Sequence, residues 1–430
     1  MRLFWIYFLF ISFWPWEQDA DRVKKSSFEL SSEPPALLQT LRVALFYEKS
    51  EVRMTLSAPY KIESVPARGS LGEGPSLPSV KIQRDPDGIR LGPTLYRVSG
   101  LRIETKTREM QVENRKYRSA IQVLKNPLGS LTVVNEIDVE DYLKGVLPSE
   151  MNPAWPLEAL KAQAVVSRTY AIFKNIENKD FPFTLSSDVG SQVYRGKSAE
   201  HASTNRAAEK TRGEILTHGG RIFPTFFHST CGGATTRSDY QWKIESHPSL
   251  KGVECPYCQA SPFYLWKAEF SAAQIQRLLA KKGKSVSNIQ EIKAEKVDAS
   301  SRPRVFAVRH DGGTLEIQAN EFRQILGADR MRSTKVTVTR VGEQFLFRGR
   351  GWGHGVGMCQ FGAKQLAELG YDYADILRYY YPDSEIRNLD RYTSLASASR
   401  GGVPTRDKEE GEGNIFKSWF RKAKNYFEEY

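Results

Sequence analysis

Residues 135–174 read NEIDVEDYLKGVLPSEMNPAWPLEALKAQAVVSRTYAIFK, a sequence that predicts two helices joined by a short turn. Asp138 can accept hydrogen bonds from the free N–H groups that begin the first helix, and Pro148 is expected to end it. Pro156 suits the first position of the second helix. Glu150 stands just before the turn, where spacing alone leaves two interpretations: a general acid/base held between helices, or a solvated carboxylate in a capped helical hairpin.

The second helix carries two cations on one stripe. Lys161 and Arg168 share helical spacing with Val165 and Ile172. The stripe could turn both cations toward whatever the loop around Glu150 contacts. Lys161 and Arg168 are therefore candidate substrate-binding residues.

The flanking sequence predicts strands. Short alternating or β-branched runs, separated by turn residues, fill residues 41–134, and residues 290–348 are again rich in them. Helical patterns begin at Ala273 and at Ala319. An amphipathic helix and an aromatic cluster follow in residues 363–381. We expect an α+β fold with a β-rich N-terminal part.

Three of the four cysteines lie in short motifs. His228 and Cys231 form an H-x-x-C pair, and Cys255 and Cys258 form a C-x-x-C pair. Three thiolates and one imidazole would satisfy a tetrahedral Zn²⁺ with no position left for water, so such a zinc would be structural. An oxidising compartment would instead favour a Cys231–Cys258 disulfide. Both hypotheses require these residues to lie together.

Glycines alternate with larger residues from Gly349 to Gly357, which lets the backbone approach a ligand or another strand closely. The block lacks the lysine and hydroxyl residue of a phosphate loop. His354 and Gln360 could bind sugar hydroxyl or acetamido groups, with Trp352 stacked on a sugar ring. The alternative is a tight bulged strand whose histidine is hydrogen-bonded in the core.

The termini and the charge indicate the compartment. Residues 1–20 carry one early positive charge and a continuous apolar run, the shape of a secretory signal peptide or of an uncleaved membrane anchor. We therefore expect export to the periplasm or cell envelope. Residues 394–413 predict a linker, and residues 414–430 predict a basic amphipathic helix that suits a membrane surface, a partner groove or packing back on the domain. The net charge of +12 favours anionic cell wall or lipid over nucleic acid, because the sequence contains no recognised nucleic-acid-binding motif.

Three blocks in the same order resemble the SpoIID/LytB family of cell-wall proteins. The first spans residues 134–173 and includes the elements DYL, PSEM, WP and EALKAQAV. The others are SDVGSQVYRG at residues 187–196 and RGWGHGVGMCQFGAKQLAELGYDYADILRYYYP at residues 350–382. The resemblance implies one SpoIID-like catalytic unit over residues 41–389, with mixed α/β lobes after its β-rich start.

The resemblance also implies roles for single residues. Glu150 matches the catalytic glutamate of the family, and Lys161 matches a helix lysine linked to activity. Tyr264 matches a functional tyrosine, while Gln192 and Tyr194 lie in the second shared block and join the candidate substrate-binding residues.

Cys359 departs from the family pattern, since it replaces the serine of a G-M-S-Q motif. Its role is left open, although its position places it among the candidate binding residues. Some members of the family bind zinc, which keeps the zinc and disulfide hypotheses even.

The expected function is that of a peptidoglycan lytic transglycosylase, a lyase with one catalytic carboxyl group. Glu150 would protonate the departing glycosidic oxygen and then accept the proton of the muramic acid hydroxymethyl group, which closes a 1,6-anhydro ring. Burial would raise its pKa toward the working pH. Lys161 is expected to contact substrate or a backbone carbonyl rather than to pair with Glu150.

Two alternatives remain from the sequence. Asp188 could be the second carboxylate of a hydrolase, although a loop-organising role in its turn motif is favoured. The protein could also be a non-catalytic wall-binding protein that recruits or stimulates an amidase.

Overall fold

The computed structural model describes residues 28–29, 39–126, 129–188, 190–242 and 244–389. The predicted export segment, linker and C-terminal helix lie outside these residues. Within the described ranges, no helix is both long enough and apolar enough to cross a membrane.

The N-terminal part consists of strands. After the short β1 (Phe28–Glu29), the strands that precede the first helix are β2 (Thr40–Lys49), β3 (Glu51–Leu56), β4 (Tyr60–Ser64), β5 (Ser70–Gly74), β6 (Leu77–Asp85), β7 (Gly88–Leu91), β8 (Thr94–Tyr96), β9 (Gly100–Thr105), β10 (Glu109–Val112), β11 (Arg115–Arg118), β12 (Ala120–Lys125) and β13 (Leu131–Asp138). They form a six-stranded sheet, β11-β10-β3-β6-β7-β8, and, with β14 (Leu185–Ser186), a seven-stranded sheet, β14-β2-β13-β12-β9-β4-β5. Val52, Ile103 and Val133 lie in the hydrophobic core that both sheets share.

The first helix begins directly after β13, and seven further α-helices follow along the described part of the chain. The α-helices are α1 (Val139–Glu150), α2 (Leu157–Glu177), α3 (Ala202–Lys210), α4 (Ser238–Gln241), α5 (Ala272–Ala280), α6 (Ala319–Leu326), α7 (Gln360–Glu368) and α8 (Tyr373–Tyr380). Short 3-10 turns cover Lys197–Ala199, Pro248–Leu250 and Pro256–Cys258. Helix α2 is central, since it packs against α1, α3, α7 and α8.

The remaining strands form small sheets around these helices. They are β15 (Glu214–His218), β16 (Arg221–Ile222), β17 (Phe227–His228), β18 (Gly233–Ala234), β19 (Glu254–Cys255), β20 (Leu265–Ser271), β21 (Glu291–Val297), β22 (Pro303–His310), β23 (Gly313–Gln318), β24 (Val336–Val341), β25 (Gln344–Arg350), β26 (Met358–Cys359) and β27 (Glu385–Asn388). Their orders are β1-β16-β15-β27, β17-β26, β18-β19, β20-β25-β24 and β21-β22-β23. The last two sheets, with α5 and α6, enclose a separate core that includes Phe270, Phe306 and Phe322.

The predicted α+β class and the β-rich N-terminal part are confirmed. Asp138 caps α1 by accepting the Glu140 N–H at 2.9 Å. The prediction for Pro148 was wrong, because α1 continues through it to Glu150. Pro148 lacks the N–H that would bond to the Lys144 carbonyl oxygen, so α1 forgoes that one hydrogen bond and continues for two more residues. Pro156 is the N-cap of α2 rather than its first residue.

Candidate active site

Glu150 ends α1 and is half-buried. Its Oε1 accepts the Val193 N–H at 2.7 Å. Burial raises the pKa of Glu150 to about 7, although the hydrogen bond from Val193 opposes that shift. A carboxyl group with this pKa can both donate and accept a proton near neutral pH.

The loop that carries Val193 is held by its own side chains. Asp188 accepts the Gly190 N–H at 2.9 Å and the Ser186 hydroxyl at 2.8 Å. Tyr194 donates its hydroxyl to Asn135 at 2.8 Å. Asp188 thus organises this loop, which is the role that its turn motif predicted.

Gln192 and Tyr194 do not lie where a substrate reaches them. Each is 1% exposed. Gln192 accepts the Tyr142 hydroxyl at 3.2 Å, and Tyr142 is itself fully buried. The predicted substrate-binding role is therefore corrected: both side chains brace the loop that bonds to Glu150.

Gln360 supports Glu150 from the other side. Its Nε2 donates to the backbone oxygen of Glu150 at 3.2 Å and to Oε1 of Gln163 at 3.3 Å. Gln163 in turn donates to Ser167 at 2.9 Å, one turn along α2. This chain of amides fixes the end of α1 against α2, so Gln360 acts here as a positioning residue.

Lys161 does not pair with Glu150. Its Nζ lies 3.0 Å from the carboxylate of Glu158 and 4.2 Å from the ring centroid of Tyr373. Glu158 also accepts the Tyr373 N–H at 3.1 Å. Lys161 therefore helps to join the start of α2 to the start of α8, and its partner is the carboxylate of Glu158 rather than the substrate or backbone carbonyl that we expected.

Arg168 is fully buried, which corrects its predicted role in substrate binding. Its guanidinium makes two hydrogen bonds of 2.8 Å to the carboxylate of Glu140 and one of 3.0 Å to the backbone oxygen of Glu214. The pair joins α2 to α1 inside the protein. Residues 162–173 of α2 are all buried, so a charged residue among them needs a partner inside the protein.

The four cysteines form one buried cluster. The Sγ atoms of Cys231, Cys255, Cys258 and Cys359 all lie within 4.8 Å of one another, and all four thiols are free. Tetrahedral Zn–S bonds of about 2.3 Å require sulfur atoms roughly 3.8 Å apart, which this cluster can meet with small adjustments. No disulfide joins Cys231 to Cys258 among the described residues, where their sulfur atoms are 3.4 Å apart.

His228 is not a member of the cluster, so the predicted ligand set was wrong in one position. Its Nδ1 bonds to the backbone oxygen of Val356 at 3.1 Å. Burial lowers the pKa of His228 to about 3, and the charge of Arg302 adds to that shift. Cys359 is the fourth thiol instead, because the parallel pairing of β17 with β26 brings it beside this segment. Counting all four cysteines together, rather than the two short motifs, would have found it.

The four thiols are not equivalent. The hydrogen bond with Cys231 lowers the pKa of Cys255 and that of Cys258. Hydrogen bonds to those two thiols raise the pKa of Cys231, and burial raises that of Cys359. Buried Arg302 donates to the backbone oxygens of Cys231 and Ala234, which places a fixed positive charge beside the sulfur atoms. These residues fit a metal ion that prefers four sulfur ligands.

His354 does not present a free nitrogen. Its Nδ1 accepts the Val356 N–H at 3.0 Å, and its ring makes a second hydrogen bond to the backbone of Phe227. Burial and the neighbouring His228 hold the pKa of His354 well below its usual range. The hydrogen-bonded core histidine is thus what the structure contains, and the predicted sugar contact is corrected.

Tyr264 is half-buried and faces Gly233, which pairs with Cys255 of the cluster. A methyl group on Gly233 would lie 3.6 Å from its hydroxyl. Its backbone oxygen accepts the Gly351 N–H at 2.9 Å, so the segment supports the glycine-rich loop.

Comparisons with known proteins identify relatives of this chain. Residues 128–218 match a family described as stage II sporulation protein, and residues 250–357 match a domain of unknown function. The chain is 31% identical over 355 residues to an uncharacterized protein of Brachyspira hyodysenteriae, covering 82% of this chain and 94% of that protein. It is 30% identical over 299 residues to stage II sporulation protein D of Bacillus subtilis, covering 66% and 81% of the two chains. The amidase enhancer of the same organism is 29% identical over 288 residues, covering 57% of this chain and 40% of its own length.

Proposed function

The chain belongs to the stage II sporulation protein D family, and from that premise we propose that it is a peptidoglycan lytic transglycosylase of the cell envelope. Its substrate would be the glycan strand, and its general acid/base would be Glu150. The observation that carries the proposal is the position of Glu150 at the end of α1, where its Oε1 accepts the Val193 N–H and burial raises its pKa to about 7.

A single carboxyl group favours a lyase over a hydrolase. Hydrolysis of a glycosidic bond usually requires two carboxyl groups on opposite sides of the sugar. Burial and one backbone hydrogen bond account for the pKa of Glu150, so no second charged group in the described residues perturbs it. Asp188 is occupied in its own loop.

The reaction needs only proton transfers by Glu150. The protonated carboxyl group gives its proton to the glycosidic oxygen as the bond to the muramic acid C1 breaks. The resulting carboxylate accepts the proton of the C6 hydroxyl of the same sugar, whose oxygen bonds to C1. The product is a 1,6-anhydro-muramic acid end, and Glu150 is protonated again for the next turnover.

The cysteine cluster would serve this site as a structural zinc centre. Zinc bound by Cys231, Cys255, Cys258 and Cys359 would cross-link the segments that carry them. Four thiolates would leave no position for water, so the ion would be structural rather than catalytic. These residues hold the segments that begin at Ser229 and at Gln360, and Gln360 bonds to the backbone of Glu150.

The proposal places the protein outside the cytoplasm. The apolar run at the start of the sequence supports export, and the net charge of +12 supports binding to anionic cell wall. The predicted C-terminal helix would add contact with a membrane surface or with a wall-remodelling partner such as an amidase.

One experiment separates this proposal from its alternative, a non-catalytic amidase enhancer, which the relative of that name supports. Purified protein is incubated with glycan strands that carry or lack stem peptides, and the products are analysed by mass spectrometry. Products that end in 1,6-anhydro-muramic acid support the lyase. Intact strands, together with a faster amidase when one is added, would support the enhancer.

A further inference from the structure

Most of the net positive charge of the chain lies in one part of the fold. Residues 265–350 contain 17 lysines and arginines but nine aspartates and glutamates, so they carry eight of the twelve net positive charges. The two three-stranded sheets of this region, with α5 and α6, enclose their own hydrophobic core. We call residues 265–350 the basic module. Its charge belongs to a folded unit that is separate from the helices around Glu150.

The sheet β20-β25-β24 of the basic module has one apolar face and one face turned away from the core. Trp266, Phe270 and Phe347 are buried in the core of the module. Side chains alternate between the two faces of a strand, so the residues between these face outward. We call this second face of the sheet the outer face.

Three exposed cations lie close together on the outer face. Lys267 on β20 is directly opposite Arg348 on β25, and Arg350 lies two residues farther along β25. The Cβ atoms of directly opposed residues are roughly 5 Å apart, and like charges in such a pair destabilise a sheet. Residues two apart on one strand are separated by roughly 7 Å. The sheet therefore concentrates positive charge where its own packing gains nothing from it.

These cations lack acidic partners within the described ranges, where none of the three forms an ion pair. Glu269 is the one carboxylate on the outer face. Elsewhere on the module, five cations lie within 3.8 Å of a carboxylate: Lys284, Lys293, Lys296, Arg309 and Arg340. Burial lowers the pKa of Lys335, and the charges of Arg302 and Arg350 add to that shift. The excess charge at the outer face is suited to an anionic partner.

Two aliphatic side chains are exposed on the same face. Leu265 is 66% exposed and Val341 is 62% exposed, more than any other large apolar side chain in the described part of the chain. Leu265 pairs with Arg350 at one end of the sheet, and Val341 pairs with Gln344 at the other end. The rise of a strand places these ends about 20 Å apart. A face that presents cations between exposed aliphatic side chains fits the boundary between water and lipid.

We propose that the outer face of the basic module binds the surface of a lipid bilayer that contains anionic headgroups. Lys267, Arg348 and Arg350 would contact the headgroup phosphates. Leu265 and Val341 would enter the layer between the headgroups and the acyl chains. The inference goes beyond the proposed function, since it involves neither the candidate catalytic residue nor cleavage of glycan.

Other occupants fit the outer face less well. A second copy of the chain would bring two faces of like charge together, and such faces repel each other. A neutral sugar would need a ring on which to stack, and the outer face, whose three strands are all described, has no aromatic side chain. A soluble polyanion would neutralise the cations but would leave Leu265 and Val341 in water, so the experiment includes one.

The first measurement is the binding of the full chain to lipid vesicles. The probes are vesicles of phosphatidylcholine alone, the same vesicles with about one third phosphatidylglycerol, and soluble polyphosphate. Lys267→Gln and Arg348→Gln should each weaken binding to the anionic vesicles about fivefold, since one basic residue near an anionic membrane contributes about that factor. Leu265→Ser should weaken vesicle binding roughly threefold to tenfold and leave polyphosphate binding unchanged, because only the bilayer receives the apolar side chain.

Lys281→Gln is the matched control. It makes the same change in charge within the same module, but Lys281 is exposed at the end of α5, which packs against the inner face of the sheet. Vesicle binding should therefore be nearly unchanged in this variant. Equal losses in Lys281→Gln and Lys267→Gln would show that net charge alone acts, and would overturn the role of the outer face. Thermal melting verifies the fold of each variant.

A second measurement locates the contact, because the sequence predicts that both termini also suit a membrane. All four native thiols are buried, so an environment-sensitive dye can be attached to Thr339→Cys on the outer face or to Lys281→Cys. The emission of the dye at residue 339 should shift to the blue with anionic vesicles, and that of the dye at residue 281 should not. An unshifted dye at residue 339 in bound protein would overturn the proposal.

Two further results would also overturn the proposal. The first is failure of the full chain to bind anionic vesicles. The second is equal binding to polyphosphate and to anionic vesicles with no loss in Leu265→Ser, which would assign the outer face to a soluble polyanion. Neither result bears on cleavage by Glu150, which is measured separately.

Discussion

Gln360 donates its side-chain amide to the backbone oxygen of Glu150 at 3.2 Å, while the residue before it, Cys359, is one corner of the cysteine cluster. One peptide bond therefore separates a cluster thiol from a group that fixes the candidate catalytic residue. Displacement of Cys359 would move the start of α7 and, with it, the amide that supports the end of α1. The cluster and the candidate active site are thus held together by directly connected contacts.

Replacement of Glu150 by glutamine should abolish most of the cleavage. Glutamine keeps the shape of the side chain but can neither give nor take the proton, and general acid/base catalysis is typically worth about 10²–10⁴-fold. The rate of formation of 1,6-anhydro ends, measured by mass spectrometry, should fall by at least that factor while glycan binding persists. Glu368→Gln on α7 is the control, because Glu368 is exposed and its one ion pair among the described residues is with Lys364. Full activity in Glu150→Gln would contradict the catalytic role of Glu150 and favour the alternative function, a non-catalytic amidase enhancer.

The pH dependence of cleavage should follow the pKa of Glu150. The group must be protonated to act as the acid, so kcat/KM should be level in acid solution and fall as the pH rises through about 7. The profile is measured with soluble stripped glycan in buffers of constant ionic strength. A fall centred near the ordinary pKa of a glutamic acid would show that the acid is solvated rather than buried.

The same shift should appear in the stability of the protein. Because the folded-state pKa of Glu150 lies above the unfolded value, the stabilising contribution of the protonated form is fully present below the unfolded pKa. It is lost as the pH rises through about 7. The unmutated protein should lose up to about 3 kcal/mol of unfolding free energy between about pH 5 and pH 8 relative to Glu150→Gln, because glutamine does not titrate. Urea denaturation at both pH values measures this, and parallel curves for the two proteins would contradict the shift.

The helices and the strands could be predicted from the sequence because they depend on local chemistry. Asp138 caps α1 through its own side chain, and the alternating runs of the N-terminal part form strands as expected. Residues of the shared sequence blocks were harder to interpret. Gln192 and Tyr194 lie in such a block because they brace a loop, and only burial distinguishes bracing from binding.

Contacts between distant segments could not be predicted. The group that bonds to the carboxylate of Glu150 is the backbone N–H of Val193. Every residue except proline has such an N–H, so the residue type does not indicate the contact. Cys359 joins the cluster through the pairing of β17 with β26, whose members are far apart in the sequence. The motifs therefore indicated three of the four thiols and a wrong fourth ligand.

Disruption of the buried ion pair between Arg168 and Glu140 should destabilise the fold rather than weaken substrate binding. Removal of one partner leaves a buried charge without its counterpart, which typically costs about 3–5 kcal/mol. Arg168→Met should lower the free energy of unfolding by that amount in urea denaturation. The double variant with Glu140→Gln should recover part of it, since glutamine can still accept the Gly213 N–H. Arg378→Met is the control, because the Arg378 side chain is exposed on α8, and it should cost at most about 1 kcal/mol. A loss of glycan affinity at unchanged stability would restore the binding role.

The cysteine cluster should bind one zinc ion per chain through four sulfur atoms. Elemental analysis of the native protein tests the metal, and thiol counting under denaturing conditions tests the oxidation state. Cys359→Ser should lower the affinity for zinc, because one metal–sulfur bond disappears. The loss should exceed the roughly 10–100-fold that removal of a residue supporting a ligand costs. His228→Gln should keep zinc, since His228 bonds to Val356 and lies outside the four thiols. The opposite pattern would restore the H-x-x-C ligand set. A native protein without zinc and with only two reactive thiols would show that a disulfide forms instead of a zinc site.

Because Cys359 adjoins Gln360, the Cys359→Ser variant should also lose cleavage, whereas His228→Gln should retain it.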